Sequence, residues 1–136
     1  RAATGSCPSP SFGYQVILVD TSIWVDHLRS GDDGLVDLLN ASQVLMHPFV
    51  LCELACGNLR QRTEILSLLN DLPEIPVARD EEVLFYIERH ELMGRGIGYI
   101  DAHLLAAVAL EAGTRLWTRD KRLGKLARTM GIAHVA

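Results

Sequence analysis

Four carboxylates stand where a solvated charge would be out of place. Asp20 closes the run Val16-Ile17-Leu18-Val19, and Glu53 lies inside Phe49-Val50-Leu51-Cys52-Glu53-Leu54-Ala55-Cys56. Asp101 opens Asp101-Ala102-His103-Leu104-Leu105-Ala106-Ala107-Val108, and Asp120 follows Leu116-Trp117-Thr118-Arg119. An unpaired carboxylate is expensive to bury, so such acids hold a cation, meet a basic partner or sit at a helix start. Four of them from distant parts of one small chain point to a hard-metal site. Mg2+ and Mn2+ take oxygen ligands, and Mg2+ usually keeps several waters, so a few carboxylates suffice. A metal so held can activate water and steady the charge developing on phosphorus, which makes phosphodiester chemistry the natural use of the site.

Each acid also has a plainer reading. Asp20 and Asp101, taken singly, are more often helix N-caps than ligands, and Asp120 can cap the last helix. Glu53 is the hardest to dismiss, because its neighbours are apolar in both directions. His103 has no second histidine at metal spacing and reads as structural or substrate-facing; His47 and His27 read as structural. Two other motifs fail. An aspartyl-phosphate phosphatase would want an acid two residues after Asp20, where Ser22 stands. Gly94-Arg95-Gly96-Ile97-Gly98-Tyr99 imitates a dinucleotide loop but follows a helix, so the fingerprint's context is missing.

The elements that must position these residues follow from local patterning. Val16 to Val19 reads as a strand buried on both faces. Thr21 or Ser22 can cap a helix to Leu28, and Leu35 to Leu39 continues as helix after a loop. Val44 to Met46 is a second short strand leading through His47-Pro48 into a helix that ends near Gly57. Thr63 to Leu69 is helical, Leu72 to Val77 extended, and Asp80 caps a long helix to about Met93. A flexible loop, Gly94 to Gly98, precedes the helix of Asp101 to Ala112. Arg115 to Trp117 is a strand, Lys121 to Met130 a helix, and Ala133 to Val135 a last strand. Short apolar strands alternating with helices mean an α/β fold with a mainly parallel central sheet flanked by helices in three layers. Active sites of open parallel sheets gather at the carboxyl ends of the strands, and Asp20 and Asp120 both follow strands directly.

Composition sets the frame. The chain of 136 residues is 49% hydrophobic, enough for one domain's core, and no apolar run approaches a membrane span. Residues Arg1 to Gln15 are rich in Ser, Pro and Gly and read as a leader outside the domain, which runs from Val16 to Ala136; Gly5-Ser6 matches a cloning scar. Cys52 and Cys56 read as small core residues in a reducing cytoplasm, and Cys7 as incidental. Net charge is -4, but it is segregated. Arg115 to Arg128 carries six bases against Asp120 alone, while Asp71 to Glu91 carries seven acids and two bases. A basic stretch beside an acidic, metal-binding cluster suits a phosphate substrate, though Lys125 and Arg128 fit a solvated helix face equally well.

The residues Val19-Asp20-Thr21-Ser22-Ile23-Trp24-Val25-Asp26, Glu53-Leu54, Gly96-Ile97-Gly98-Tyr99-Ile100-Asp101-Ala102 and Trp117-Thr118-Arg119-Asp120 occur in an order that resembles a PIN domain. More narrowly, they resemble the VapC toxins of bacterial toxin–antitoxin pairs. The resemblance spans Val16 to Ala136. It implies a Mg2+- or Mn2+-dependent endoribonuclease whose acidic site is Asp20, Glu53, Asp101 and Asp120, supported by the hydroxyls of Thr21, Ser22 and Thr118. It also implies homodimers and a small VapB-like antitoxin whose tail reaches the active site. Arg119, Lys121 and Arg122, which flank Asp120, are the expected phosphate contacts on the RNA. Some relatives carry an acid where this chain has Arg122, which argues against a second metal. The apolar residues of the first two helices (Trp24, Val25, Leu28, Leu35, Val36 and Leu39) exceed what a small sheet can bury, and some are expected to form the antitoxin groove. The alternative from another class is a catalytically silent PIN-like module that binds RNA or protein.

Overall fold

A computed structural model describes residues 15–135. Cys7 and all of the expected leader except Gln15 lie outside them. Strand β1 (Val16–Val19) is central, pairing in parallel with β2 (Val44–Leu45) on one side and β3 (Thr114–Trp117) on the other. Ile17 stands opposite Val44, and Val19 opposite Trp117. A strand paired on both edges and covered on both faces has no wet side, so its apolar residues run consecutively. Isolated parallel bridges widen the sheet, joining Met46 to Glu74 and Leu116 to Ala133. They are the structural form of the extended Leu72 to Val77 segment and of the expected last strand.

Seven helices among the described residues flank this sheet: α1 (Thr21–Ser30), α2 (Asp33–Asn40), α3 (Pro48–Ala55), α4 (Arg62–Asn70), α5 (Asp80–Arg89), α6 (Tyr99–Leu110) and α7 (Lys121–Thr129). The α/β, parallel-sheet expectation holds. Helix α6 is buried from Ala102 through Val108, as expected of a helix apolar all round. In α7 the stripe is one-sided: Leu123, Leu126 and Ala127 face the core while Lys121, Arg122, Lys125 and Arg128 face water. Helix α5 stops earlier than expected, at Arg89, and Glu91 two residues on has φ 52°, which no right-handed helix accommodates. The cysteines also differ from expectation. Helix α3 turns Val50 and Leu54 inward, so Cys52 and Cys56 are exposed rather than packed in the core. Of the apolar residues on α1 and α2, Trp24 and Leu35 join the core, Leu28 and Leu39 are half-buried, and Val25 and Val36 remain exposed.

His47 is fully buried and caps α3, its Nδ1 accepting the Phe49 N–H at 3.0 Å, with Pro48 behind it at the first helical position. The cap requires a neutral ring. Burial, helped by the charge of nearby His103, lowers its pKa from 6.5 to about 4. Between those values the unfolded chain holds a proton that the folded chain refuses, so stability falls as pH drops from 6.5 towards 4. His47→Asn keeps a cap acceptor and cannot titrate. Urea denaturation at pH 7 and pH 5 should show a smaller loss of stability in the variant than in the wild type. Equal losses would mean that another group governs the acid limb.

Arg119 ties the end of β3 to the first two helices. Its guanidinium donates to Asp26 at 2.8 Å and to Asp32, and it lies over the Trp117 ring at 5.7 Å. Asp32 in turn caps α2 by accepting the Leu35 N–H. The Arg119 hydrogen bond is the main reason the Asp32 carboxyl lies below its ordinary pKa. Because Arg119 and Asp26 are partly exposed, the clamp is solvent-screened. Arg119→Ala should destabilise the fold by about 1–2 kcal/mol in urea titration, less at high salt. Arg119→Lys should recover only part of that loss, since an ammonium lacks the planar fork. A change within about 0.5 kcal/mol would make the clamp incidental, like an ordinary surface ion pair.

Candidate active site

The site starts where the ladder ends. The Asp20 N–H donates to the Trp117 carbonyl at 2.9 Å, extending the β1–β3 pairing by one rung and bringing Asp20 beside Thr118. The Asp20 side chain is 6% exposed, and its Oδ2 accepts from Ser22 Oγ at 2.8 Å, Thr118 Oγ1 at 2.8 Å and the Ser22 N–H at 3.3 Å. Asp20 is therefore the N-cap of α1 and also the buried acid of the rim. Capping and site readings coexist. Ser22 Oγ additionally accepts the Arg119 N–H at 3.0 Å, and Thr118 Oγ1 accepts the Asp120 N–H at 3.0 Å. The two hydroxyls thus stitch the segments after β1 and β3 together.

The other acids arrive on helices. Thr21, at the start of α1, donates its hydroxyl to Glu53 Oε1 on α3 at 2.6 Å. Glu53 is exposed, contrary to the burial its apolar neighbours suggest. Those neighbours point to the core from the opposite face of α3, where Val50 and Leu54 lie. Asp101 lies in the first turn of α6, two residues inside a helix that begins at Tyr99, and its Oδ2 accepts the Gly98 N–H at 3.5 Å. Asp120 is exposed and caps α7, with Oδ1 accepting the Leu123 N–H at 3.0 Å.

Electrostatics ties the four together. Burial is the first cause of a raised Asp101 pKa; the Gly98 N–H opposes it, and the charges of Asp20, Asp120 and Glu53 add to it. All three other acids are therefore near enough to be felt at Asp101. Among the described residues, no ion pair joins any of the four to a Lys or Arg. Each acid also has one oxygen engaged by the hydrogen bonds above. No hydrogen bond among the described residues uses Oδ1 of Asp20 or Asp101, Oε2 of Glu53 or Oδ2 of Asp120.

The arrangement is open. Among the described residues no three His, Cys, Asp or Glu side chains are grouped so as to hold a metal ion. The four acids offer oxygen donors only, the type that hard divalent cations take with part of their water kept. The expected supporting hydroxyls (Thr21, Ser22 and Thr118) all contact the acids. The expected phosphate contacts divide. Lys121 and Arg122 are exposed in the first turn of α7, beside Asp120, whereas the Arg119 guanidinium is committed to Asp26 and Asp32 and turns away from the acids. That commitment rests on partners 93 and 87 residues distant in the chain, which nothing in the local sequence announces. The Gly98 N–H is a further contact on Asp101 with no side-chain signature.

A groove of about 550 Å³ opens between α1 and the α3–α4 segment, lined by the apolar Val25, Leu28, Leu54, Leu59 and Ile65 and also by Glu53, Arg29, Arg60 and Gln61. His47 and His103 are buried away from it, packed edge-on against Phe49. The plainer reading of both histidines is thus the structural one.

Comparison with known proteins agrees with this geometry. The family model described as PIN domain matches residues 17–129. Proteins named Ribonuclease VapC32 from two strains of Mycobacterium tuberculosis are each 49% identical over 118 residues, covering 87% of this chain and 95% of theirs. By fold, by the order of its acidic motifs and by these matches, the chain belongs to the PIN-domain family, in its VapC branch.

Proposed function

We propose that the chain is a metal-dependent endoribonuclease toxin that hydrolyses RNA phosphodiester bonds and is held in check by a small VapB-like antitoxin. One observation carries the reading: the charges of Asp20, Glu53 and Asp120 are felt at Asp101, and among the described residues no Lys or Arg is ion-paired to any of the four and each keeps an oxygen free of hydrogen bonds. A binding module has no reason to keep such an unrelieved cluster, which lowers stability. The names of the Mycobacterium tuberculosis relatives support ribonuclease activity.

In this reading Asp20, Glu53, Asp101 and Asp120 hold a Mg2+ or Mn2+ ion, which when bound lowers the pKa of water and offsets charge on the phosphate. The chain's own contribution is pre-organisation. Ser22 and Thr118 fix the Asp20 carboxylate, Thr21 fixes Glu53, the Gly98 N–H fixes Asp101 and the Leu123 N–H fixes Asp120, so each free oxygen keeps its direction. Lys121 and Arg122 take the RNA phosphates. Arg119 acts at one remove, by holding the segment between Thr118 and Asp120 in place.

The groove lined by Val25, Leu28, Leu54, Leu59 and Ile65 is the surface that suits an apolar antitoxin segment, and Glu53 in its lining would draw a basic group. Self-association as a homodimer is supported by Leu84 and Phe85 on α5, 63% and 58% exposed. The setting is the cytoplasm, where free Cys52 and Cys56 stay reduced and RNA is at hand. No helix among the described residues is long and apolar enough to cross a membrane.

Asp20→Asn removes one negative charge with little change in volume and leaves an oxygen to accept from Ser22 and Thr118. It should abolish Mn2+-dependent cleavage of an RNA pool, by about a hundredfold or more, while thermal stability is unchanged or higher because like-charge repulsion falls. Wild-type protein that cleaves no RNA with Mn2+, and that slows bacterial growth no more than Asp20→Asn, would exclude the nuclease reading. Lys121→Ala should weaken RNA binding uniformly across sequences and lower the slope of log affinity against log salt by about 0.7. An unchanged slope would move the RNA path off α7.

A further inference from the structure

Gly94-Arg95-Gly96-Ile97-Gly98 leads into α6 and so into Asp101, and only its last residue touches that acid. Its glycines are not equivalent. A Cβ built on Gly94 or Gly98 meets nothing within 4 Å. One on Gly96 would fall 2.7 Å from Cδ, 2.8 Å from Nη1 and 3.0 Å from Cζ of Arg122. The Arg122 side chain therefore lies against the Gly96 Cα along its outer length, in space that any other residue would fill.

The contact spans two elements that the site needs together. Gly96 is two residues before Gly98, the N-cap of α6 whose N–H meets Asp101. Arg122 is two residues after Asp120, the N-cap of α7. A guanidinium laid across this gap sits at the rim between the carriers of two of the four acids. Among the described residues it makes no ion pair, so its charge is uncommitted, unlike that of Arg119. An exposed arginine normally gives up much rotamer freedom on binding; one already resting on backbone gives up less.

We propose that Gly96 is a positioning residue: its missing Cβ forms a seat that holds the Arg122 guanidinium at the acid rim, oriented to take two phosphate oxygens of the RNA backbone at once. This rests on the nuclease reading for its substrate. The planar fork matches a phosphate bidentately, which an ammonium cannot do. Because a flexible side chain is what a Gly96 Cβ would strike, the economical response to Gly96→Ala is for Arg122 to leave the seat. The added cost of alanine at φ +80° is a backbone cost that is the same with or without Arg122, so the comparison of the two backgrounds separates it from the seat.

The test is a double-mutant cycle on RNA binding, read by fluorescence anisotropy of a labelled single-stranded oligoribonucleotide with Ca2+ present, so that cleavage is not required. Gly96→Ala and Arg122→Ala should each weaken binding by about three- to tenfold, the size of a modest charge-assisted contact. Each should also lower the salt slope, by up to about 0.7 for Arg122→Ala. The pair should be no weaker than Arg122→Ala alone, since the second change removes a seat already empty. Arg122→Lys should not restore wild-type affinity. If Gly96→Ala costs as much without Arg122 as with it, glycine serves the loop backbone and the seat is refuted. Full recovery by Arg122→Lys overturns the bidentate role, and a wild type that binds no RNA overturns the whole proposal. A wild type that binds RNA with the expected cycle but never cleaves it with Mn2+ would leave the seat standing and sink the nuclease reading instead.

Discussion

The hydrogen bond from the Asp20 N–H to the Trp117 carbonyl, 2.9 Å long, is where the sheet turns into the site. It is the final rung of the β1–β3 pairing, and every later contact depends on its register. With Val19 opposite Trp117, the next residues on the two strands are Asp20 and Thr118, close enough for a hydroxyl–carboxylate bond. Since β1 is apolar and covered on both faces, a slip of one residue would part this pair and set the Asp20 carboxylate against the apolar residues of β3. The register is guarded by the burial of Ile17, Leu18 and Val19 and of Leu116 and Trp117, all at most 5% exposed. Hydrophobic packing thus fixes a polar geometry that polar contacts alone would hold weakly.

That geometry works against the stability of the fold. Like charges gathered at a half-buried rim favour the unfolded chain, where they separate; the Asp101 pKa, raised first by burial, is raised further by the charges of Asp20, Asp120 and Glu53. The obvious remedy lies next door, since Arg119 adjoins Asp120 in sequence. Instead its guanidinium is bound to Asp26 and Asp32 and lies over Trp117, where it strengthens the scaffold and leaves the acids alone. A cation bound among them would ease the repulsion and stabilise the folded state by mass action.

How far the sequence reveals this depends on the range of the interaction concerned. The strands were legible because burial on both faces demands a consecutive apolar run, and the acids because a charge beside such a run needs a reason. Thr21, Ser22 and Thr118 are legible only through the resemblance to PIN domains. Glu53 was found for a partly mistaken reason: α3 buries only the side bearing Val50 and Leu54, so apolar neighbours in sequence did not make the carboxylate buried, and the same periodicity exposed Cys52 and Cys56. The partners of Arg119 and the place of Arg122 over Gly96 are tertiary facts with no local trace. The end of α5 is another case, set by the positive φ at Glu91, a residue type that carries no warning of it.

Helix α1 joins the site to the groove beside it. Thr21, Val25 and Leu28 recur at the spacing of one helical face. The first holds Glu53 at 2.6 Å, while the other two line the groove against Leu54, the residue after Glu53. A segment seated in the groove would press on α1 and α3 through the same stripe that sets the Glu53 carboxylate. Val25 and Leu28 lie one and two turns from Thr21, too close for the helix to flex independently between them. Whatever occupies the groove must therefore share Glu53 with whatever binds at the acid rim. Affinity at one place is then linked to affinity at the other, and the linkage is reciprocal. Such linkage would need no distant relay, because the two surfaces have a side chain in common.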